Sequence, residues 1–252
     1  MFKPQTTRIE KLSKIFPVRV TELEKIFDAP TVVYVDWANV IHWQEELDWH
    51  LHLGRIKQLH NSFDNVKKVR LYHGTLDGNE KSKKQINEIK NLGYDLVTKP
   101  VKLIRISIDI SSIPDNSPAI LKNFIKKSLL KKLDLETISF LNSKLGLLNK
   151  QGIMKLEEPK CNFDVEIGRD MLSDFQSGEY QNFVLWSGDS DFKNPIQQLI
   201  TDGKKVTIVS MSGWVTPEIS ELKVPIFELR KIKEFICWPK EIPMSLKSQI
   251  DT

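Results

Sequence analysis

The sequence predicts an α/β fold in three layers, with a doubly wound, mostly parallel sheet between helices. Two observations point there. Thr31-Val32-Val33-Tyr34-Val35 and Asn182-Phe183-Val184-Leu185-Trp186 are apolar runs with almost no polar alternation, the mark of strands buried on both faces. Elsewhere strand-like runs alternate with helical stretches, two of them closed by Gly93 and Gly203 in C-cap position, which is the connectivity a parallel sheet requires.

Taken in order, residues 1–30 read as a helical extension: Glu22-Leu23-Glu24-Lys25-Ile26-Phe27 suits a helix and Pro30 ends it. After the strand at 31–35 come a helix at 53–63, a strand at 68–73, a helix at 79–92 and a strand at 94–98. The alternation then breaks. Lys102–Ile106 reads as one arm of a hairpin, residues 107–118 as a Ser, Pro, Asp and Asn-rich loop, Leu135–Leu148 as a short helix and Ile153–Leu156 as the return arm. Regular order resumes with a helix at 163–176, strands at 182–186, 205–209 and 226–229, and helices at 194–202 and 216–222. The organisation is thus an extension (1–30), a core domain (31–236) carrying a helical insertion at 106–152, and a tail (237–252) whose Pro239 and Pro243 suggest that it is loosely held.

Composition narrows the function classes. The 252 residues hold 37 basic and 33 acidic side chains, a net charge of +4, with 40% hydrophobic and 28% charged residues, as in an ordinary globular protein. No apolar run approaches the ~20 residues of a membrane span, and the N-terminus lacks the apolar core of a signal peptide. Cys161 and Cys237 are the only cysteines, which excludes a disulfide scaffold or a cysteine-based zinc finger and favours a reducing, cytoplasmic setting.

The chemistry-bearing residues are acids at strand ends. In open α/β sheets ligands bind outside the carboxyl ends of the strands, where strand order reverses. Asp36 follows the first strand, Asp189 and Asp191 follow the 182–186 strand, and Asp164 begins a helix. If the two strands are neighbours, these carboxylates converge. Clustered carboxylates repel one another and one takes up a proton, unless a hard divalent cation with oxygen preference resolves the conflict. Such a cation supports hydrolysis of a phosphodiester by activating water. Each acid also has a capping reading: Asp191 ahead of a helix, Asp164 in a first helical turn.

These residues resemble the NYN-domain family, the LabA-like branch of the PIN-like nucleases. The resemblance rests on Tyr34-Val35-Asp36-Trp37-Ala38-Asn39, on Lys160-Cys161-Asn162-Phe163-Asp164 with Asp170, on Ser187-Gly188-Asp189-Ser190-Asp191-Phe192, and on Gly203-Lys204-Lys205-Val206. Leu92-Gly93-Tyr94-Asp95-Leu96-Val97-Thr98-Lys99-Pro100 resembles the family's third strand. The likeness covers 31–105 and 153–229. It implies a PIN-like, Rossmann-like fold with five or six parallel strands and a Mg²⁺- or Mn²⁺-dependent ribonuclease. It further implies Asp36, Asp164, Asp189 and Asp191 as metal-holding catalytic residues, with Asn39, Ser187, Ser190 and Lys160 supporting them or meeting substrate. Asp170 matches the pattern, but six residues turn an ideal helix by about 240°, so it need not face the same site as Asp164. Trp37 stands where many members have Gly; its ring either stacks on a base or packs into the core. Val224-Pro225 replaces an acid often found before the last strand.

The partner so implied is RNA, with no membrane and with a homodimer left open. Residues 119–133 hold five lysines, Lys122, Lys126, Lys127, Lys131 and Lys132, and no acid. They either track an RNA backbone or are solvated surface charges. Other chemistries fit less well. The five histidines lie between 42 and 73 with no cysteine near, so zinc is disfavoured. There is no P-loop, and Ala38 occupies the place of a dehalogenase-type second Asp. The readings that compete with a ribonuclease are a weakly active RNA-binding module of the same fold and a nuclease acting on DNA.

Overall fold

A computed structural model describes residues 1–250. The chain forms two compact units: Met1–Pro100 with Cys161–Thr252, and Val101–Lys160. The second unit is wider than the 106–152 insertion expected from sequence.

The first unit begins with α1 (Thr7–Ile15) and α2 (Pro17–Ile26), followed by β1 (Thr31–Asp36), α3 (Trp37–Leu47), α4 (Leu53–Asn61), β2 (Val66–Thr75), α5 (Glu80–Asn91) and β3 (Asp95–Pro100). The chain then builds the second unit from β4 (Lys102–Ser107), α6 (Lys127–Leu130), α7 (Leu135–Lys150) and β5 (Lys155–Lys160). It returns through α8 (Asp164–Ser177), β6 (Asn182–Trp186), α9 (Lys193–Thr201), β7 (Lys205–Ser210), α10 (Pro217–Ser220), β8 (Ile226–Glu228), α11 (Lys233–Ile236) and α12 (Met244–Ile250).

Six strands form one parallel sheet in the order β3-β2-β1-β6-β7-β8. The order reverses between β1 and β6, so those two central strands are hydrogen-bonded neighbours. Every residue of β1 and β6 is buried, which is why neither shows polar alternation. Side chains alternate between two cores. Val33, Val35, Val69, Leu71, Val184 and Trp186 join α1–α4, α11 and α12 on one face. Val32, Tyr34, Tyr72, Phe183, Leu185 and Ile208 join α8 and α9 on the other. This is the three-layer α/β/α arrangement of the PIN-like fold.

The tail departs from expectation. Pro239 opens a short 3₁₀ turn and Pro243 immediately precedes α12, positions that tolerate a missing N–H. Leu246 and Ile250, one helical turn apart, are buried in the same core as α1, and Cys237 is fully buried. The prolines start structure here rather than end it.

In the second unit, β4 and β5 pair antiparallel, Lys102 opposite Lys160 and Ser107 opposite Lys155. Lys160 is exposed at the end of β5. Lys122, Lys126, Lys127 and Lys131 are exposed around a 3₁₀ turn and α6.

Candidate metal centre

β1 ends at Asp36, two residues beyond Tyr34, and therefore on the sheet face covered by α8 and α9. Its carboxylate also caps α3, accepting from the Asn39 backbone N–H at 3.3 Å. The strand end and the helix cap are one residue, so both sequence readings of Asp36 describe it. The Asn39 amide side chain donates to Ser187 Oγ at 3.2 Å, which in turn accepts from the Asp189 backbone N–H at 3.3 Å. This chain ties the first turn of α3 to the loop after β6. Ser187 is buried, while Asn39 and Asp189 are half-buried.

The loop after β6 is held from behind by a glycine that no other residue could replace. A Cβ on Gly188 would lie 2.1 Å from the Trp214 carbonyl oxygen, and the Gly188 carbonyl accepts from Thr216 N–H at 3.0 Å. Trp214 itself donates to Glu46 at 2.7 Å. Asp189 caps the following 3₁₀ turn through Asp191 N–H at 3.2 Å, and Ser190 Oγ donates to the same carboxylate at 3.4 Å. The cap is therefore Asp189, not Asp191.

Asp164 opens α8 without capping it; Asn162 Oδ1 accepts its backbone N–H at 2.8 Å. Carboxylate oxygens of Asp164, Asp189 and Asp191 all lie within 4.8 Å of one another. Burial pushes the Asp164 carboxyl up to about 6, reinforced by a hydrogen bond with Asp191 and by the charges of Asp189 and Asp191. Asp36 stands outside this tightest set but feels it: burial pushes its carboxyl up to about 7, and the Asp164 and Asp189 charges add to that. Among the described residues none of these four acids forms an ion pair with a basic side chain. An all-carboxylate donor set, buried at Asp36, half-buried at Asp164 and Asp189 and exposed at Asp191, without protein counter-charge, fits a hard divalent cation.

Other sequence candidates lie elsewhere. Asp170 is buried against the sheet, accepting from Tyr72 OH at 3.0 Å and pairing with Arg70 at 3.1 Å and Arg169 at 2.8 Å. The Trp37 ring packs into the α1–α4 core at 5% exposure, the core placement the sequence reading offered rather than base stacking. Two features escaped the sequence reading. Lys99, at the end of β3, is held by both oxygens of Glu166 at 2.7 and 2.8 Å, and Trp214 buttresses Gly188. A glutamate two residues beyond Asp164 was the available signal for the first; nothing local marked the second.

A parallel α/β/α sheet with converging carboxylates at its switch point defines a PIN-like domain of nuclease-like type. Residues 130–223 match the NYN domain family, and that match supports an NYN-domain, LabA-like family for the chain. The match takes in the second half of the insertion as well as the loops carrying Asp164, Asp189 and Asp191. Low amplitude and bright protein LabA of Synechococcus elongatus is 32% identical over 77 residues, 31% of this chain and 40% of that protein. The chain thus matches well under half the length of that relative. A solved protein of unknown function from Vibrio parahaemolyticus superposes with a TM-score of 0.50 at 12% identity, over 83% of this chain and 97% of that one, and shares the fold. Among the described residues no helix is long and apolar enough to cross a membrane.

Proposed function

We propose that this protein is a metal-dependent ribonuclease of the cytoplasm, hydrolysing RNA phosphodiester bonds with Mg²⁺ or Mn²⁺. The observation that carries the reading is the convergence of Asp164, Asp189 and Asp191 within 4.8 Å, beside a buried Asp36, with no basic partner. Asp164, Asp189 and Asp191 would hold the ion, and Asp36 would complete the negative field around it. When bound, the ion supplies an activated water and neutralises charge developing on the phosphate.

The chain's own groups prepare that event. The Asn39–Ser187–Asp189 hydrogen bonds fix the position of the start of α3 relative to the loop after β6 before anything binds, and Gly188 seated under Trp214 fixes that loop's height. Preorganisation of this kind is what makes fixed charges effective. Asp36, with its proton affinity raised by burial, can hold a proton at its carboxylate near neutral pH while the cluster is bare.

The test is cleavage of labelled single-stranded RNA in Mg²⁺ or Mn²⁺ by wild type, Asp36→Asn and Asp189→Asn. Cleavage lost in both variants supports the reading. Binding without variant-sensitive cleavage in either metal points to an RNA-binding module, and cleavage of DNA in preference to RNA to a DNA nuclease.

A further inference from the structure

Two lysines stand on or against elements that carry the carboxylate cluster, Lys99 against the first turn of α8 and Lys193 two residues after Asp191, and each rests on a glutamate. Lys99 ends β3 and sits beside the start of α8: Glu166 holds its ammonium at 2.7 and 2.8 Å, and it lies 4.8 Å from the centre of the buried Phe163 ring. Lys193 opens α9 two residues after Asp191 and reaches Glu221 at 3.1 Å. The side chains of Lys99 and Lys193 are 33% and 40% exposed, open enough to exchange partners.

Other acids on the same helix show what a structural pair looks like. Arg70 is only 16% exposed and meets Asp170 and Asp174, each 7% exposed or less. The pairs of Lys99 and Lys193 are wetter, and exposed ion pairs are weak holds. A lysine parked on a glutamate at the rim of an anionic pocket keeps its charge in place without collapsing onto the pocket's carboxylates. A phosphate arriving beside it offers a stronger partner.

We infer that Lys99 and Lys193 are the backbone contacts of a single-stranded RNA crossing the carboxylate cluster, one phosphate on each side of the scissile bond. This rests on the ribonuclease reading and names how its substrate is held. The strand runs from the end of β3 over Asp164, Asp189 and Asp191 to the start of α9. The glutamates act as placeholders: Glu166 and Glu221 release their lysines when phosphates arrive.

The experiment measures binding of a short fluorescent single-stranded RNA to the full chain in Ca²⁺, which takes the same carboxylate oxygens with looser geometry, with RNA integrity checked on a gel. Dissociation constants are taken between about 50 and 200 mM salt for wild type, Lys99→Gln, Lys193→Gln, the double variant, and a Lys126→Gln/Lys127→Gln/Lys131→Gln variant. Each released phosphate contact lowers the log–log salt slope by about 0.7 for a single strand, so the double variant should lose about 1.4, with wild-type thermal stability. Glu166→Gln should tighten binding. An unchanged slope in the double variant, or a loss confined to the 126/127/131 variant, overturns the inference. If those variants behave so while wild type still cleaves RNA through Asp189, the lysine assignment falls and the ribonuclease reading stands. If wild type neither binds nor cleaves, both fall.

Discussion

Helix α8 carries two sets of acids that share residue type, helix and sheet face, yet differ in one respect. Asp164, at its first turn, meets Asp189 and Asp191 with no basic partner. Asp170 and Asp174, deeper along it, are neutralised: Arg70 reaches both, Lys68 lies 3.6 Å from Asp174, and Tyr34 and Tyr72 donate hydroxyls at 2.8 and 3.0 Å. The lower set is a finished network that seats the helix on β1 and β2. The upper set has no counter-charge from the protein; the proposed metal ion would supply it. Counter-charge, more than the presence of acids, separates a ligand site from a structural pair.

The largest effect comes from breaking the finished set. Arg70→Met removes the guanidinium shared by two buried carboxylates, leaving Asp170 to Arg169 and Asp174 to Lys68, and removing one partner of a buried pair costs about 3–5 kcal/mol. Urea unfolding should show that loss, and Mg²⁺ should not restore it, because the proposed ion site lies in the other set. Full rescue by Mg²⁺ would mean that the two sets are one.

Next comes the pH response of the upper set. Asp36 has its folded carboxyl pushed up to about 7 by burial and by the charges of Asp164 and Asp189. The folded state therefore keeps a proton that the unfolded state releases near pH 4, so metal-free stability falls as pH rises from about 4 to about 7 and stays low above it, by at most ~4 kcal/mol. Asp36→Asn should be more stable than wild type at pH 8 in EDTA and equal to it near pH 3. A thermal melt series across that range checks the sign; a variant less stable at pH 8 would show that Asp36 is stabilising as an anion.

Much of this contrast was hidden from the sequence for a physical reason. The strand-end acids were legible, because β1 and β6 are continuous apolar runs whose ends are obvious; that the two strands are neighbours was a condition of the reading, and the sheet order meets it. The partners of Asp170 and Asp174 were not, because Arg70 is 100 or more residues away in the chain and only folding brings it there. For the same reason Lys99 and Glu166 met only in the structure. In the fold, α3 directly follows β1 with no loop between them and went unread, since Asp36 both ends the strand and caps the helix. β5, Lys-Leu-Glu-Glu-Pro-Lys, has no apolar pattern and lies at 155–160 rather than 153–156. Pro239 and Pro243 looked like breakers, yet the i, i+4 pair Leu246 and Ile250 was the stronger signal.

Asp189→Asn tests the upper set directly. Removing one charge from a preorganised site typically lowers the rate about 100-fold or more, and here it should do so without loss of stability, since it relieves repulsion. In the same variant the Mg²⁺-dependent rise in melting temperature should vanish. For wild type that rise corresponds to about 2.7 kcal/mol at a hundred times the dissociation constant. Calorimetry with Mg²⁺ alone reads this independently of cleavage, and an unaltered Mg²⁺ response would remove Asp189 from the ion's surroundings.

The smallest effect separates positioning from holding. Asn39 touches no carboxylate through its side chain; the amide donates to Ser187 Oγ, which accepts the Asp189 N–H. Removing such an outer partner usually costs 10–100-fold in affinity or activity, and the lower end fits here, because Asp36 still receives the Asn39 backbone N–H. Asn39→Ala should therefore lower cleavage about tenfold and weaken Mg²⁺ binding, while Asn39→Asp, which can no longer donate from that position, should do the same despite its added charge. If Asn39→Asp instead strengthened Mg²⁺ binding, residue 39 would face the ion, and the boundary between the residues that hold it and those that orient them would move one residue into α3.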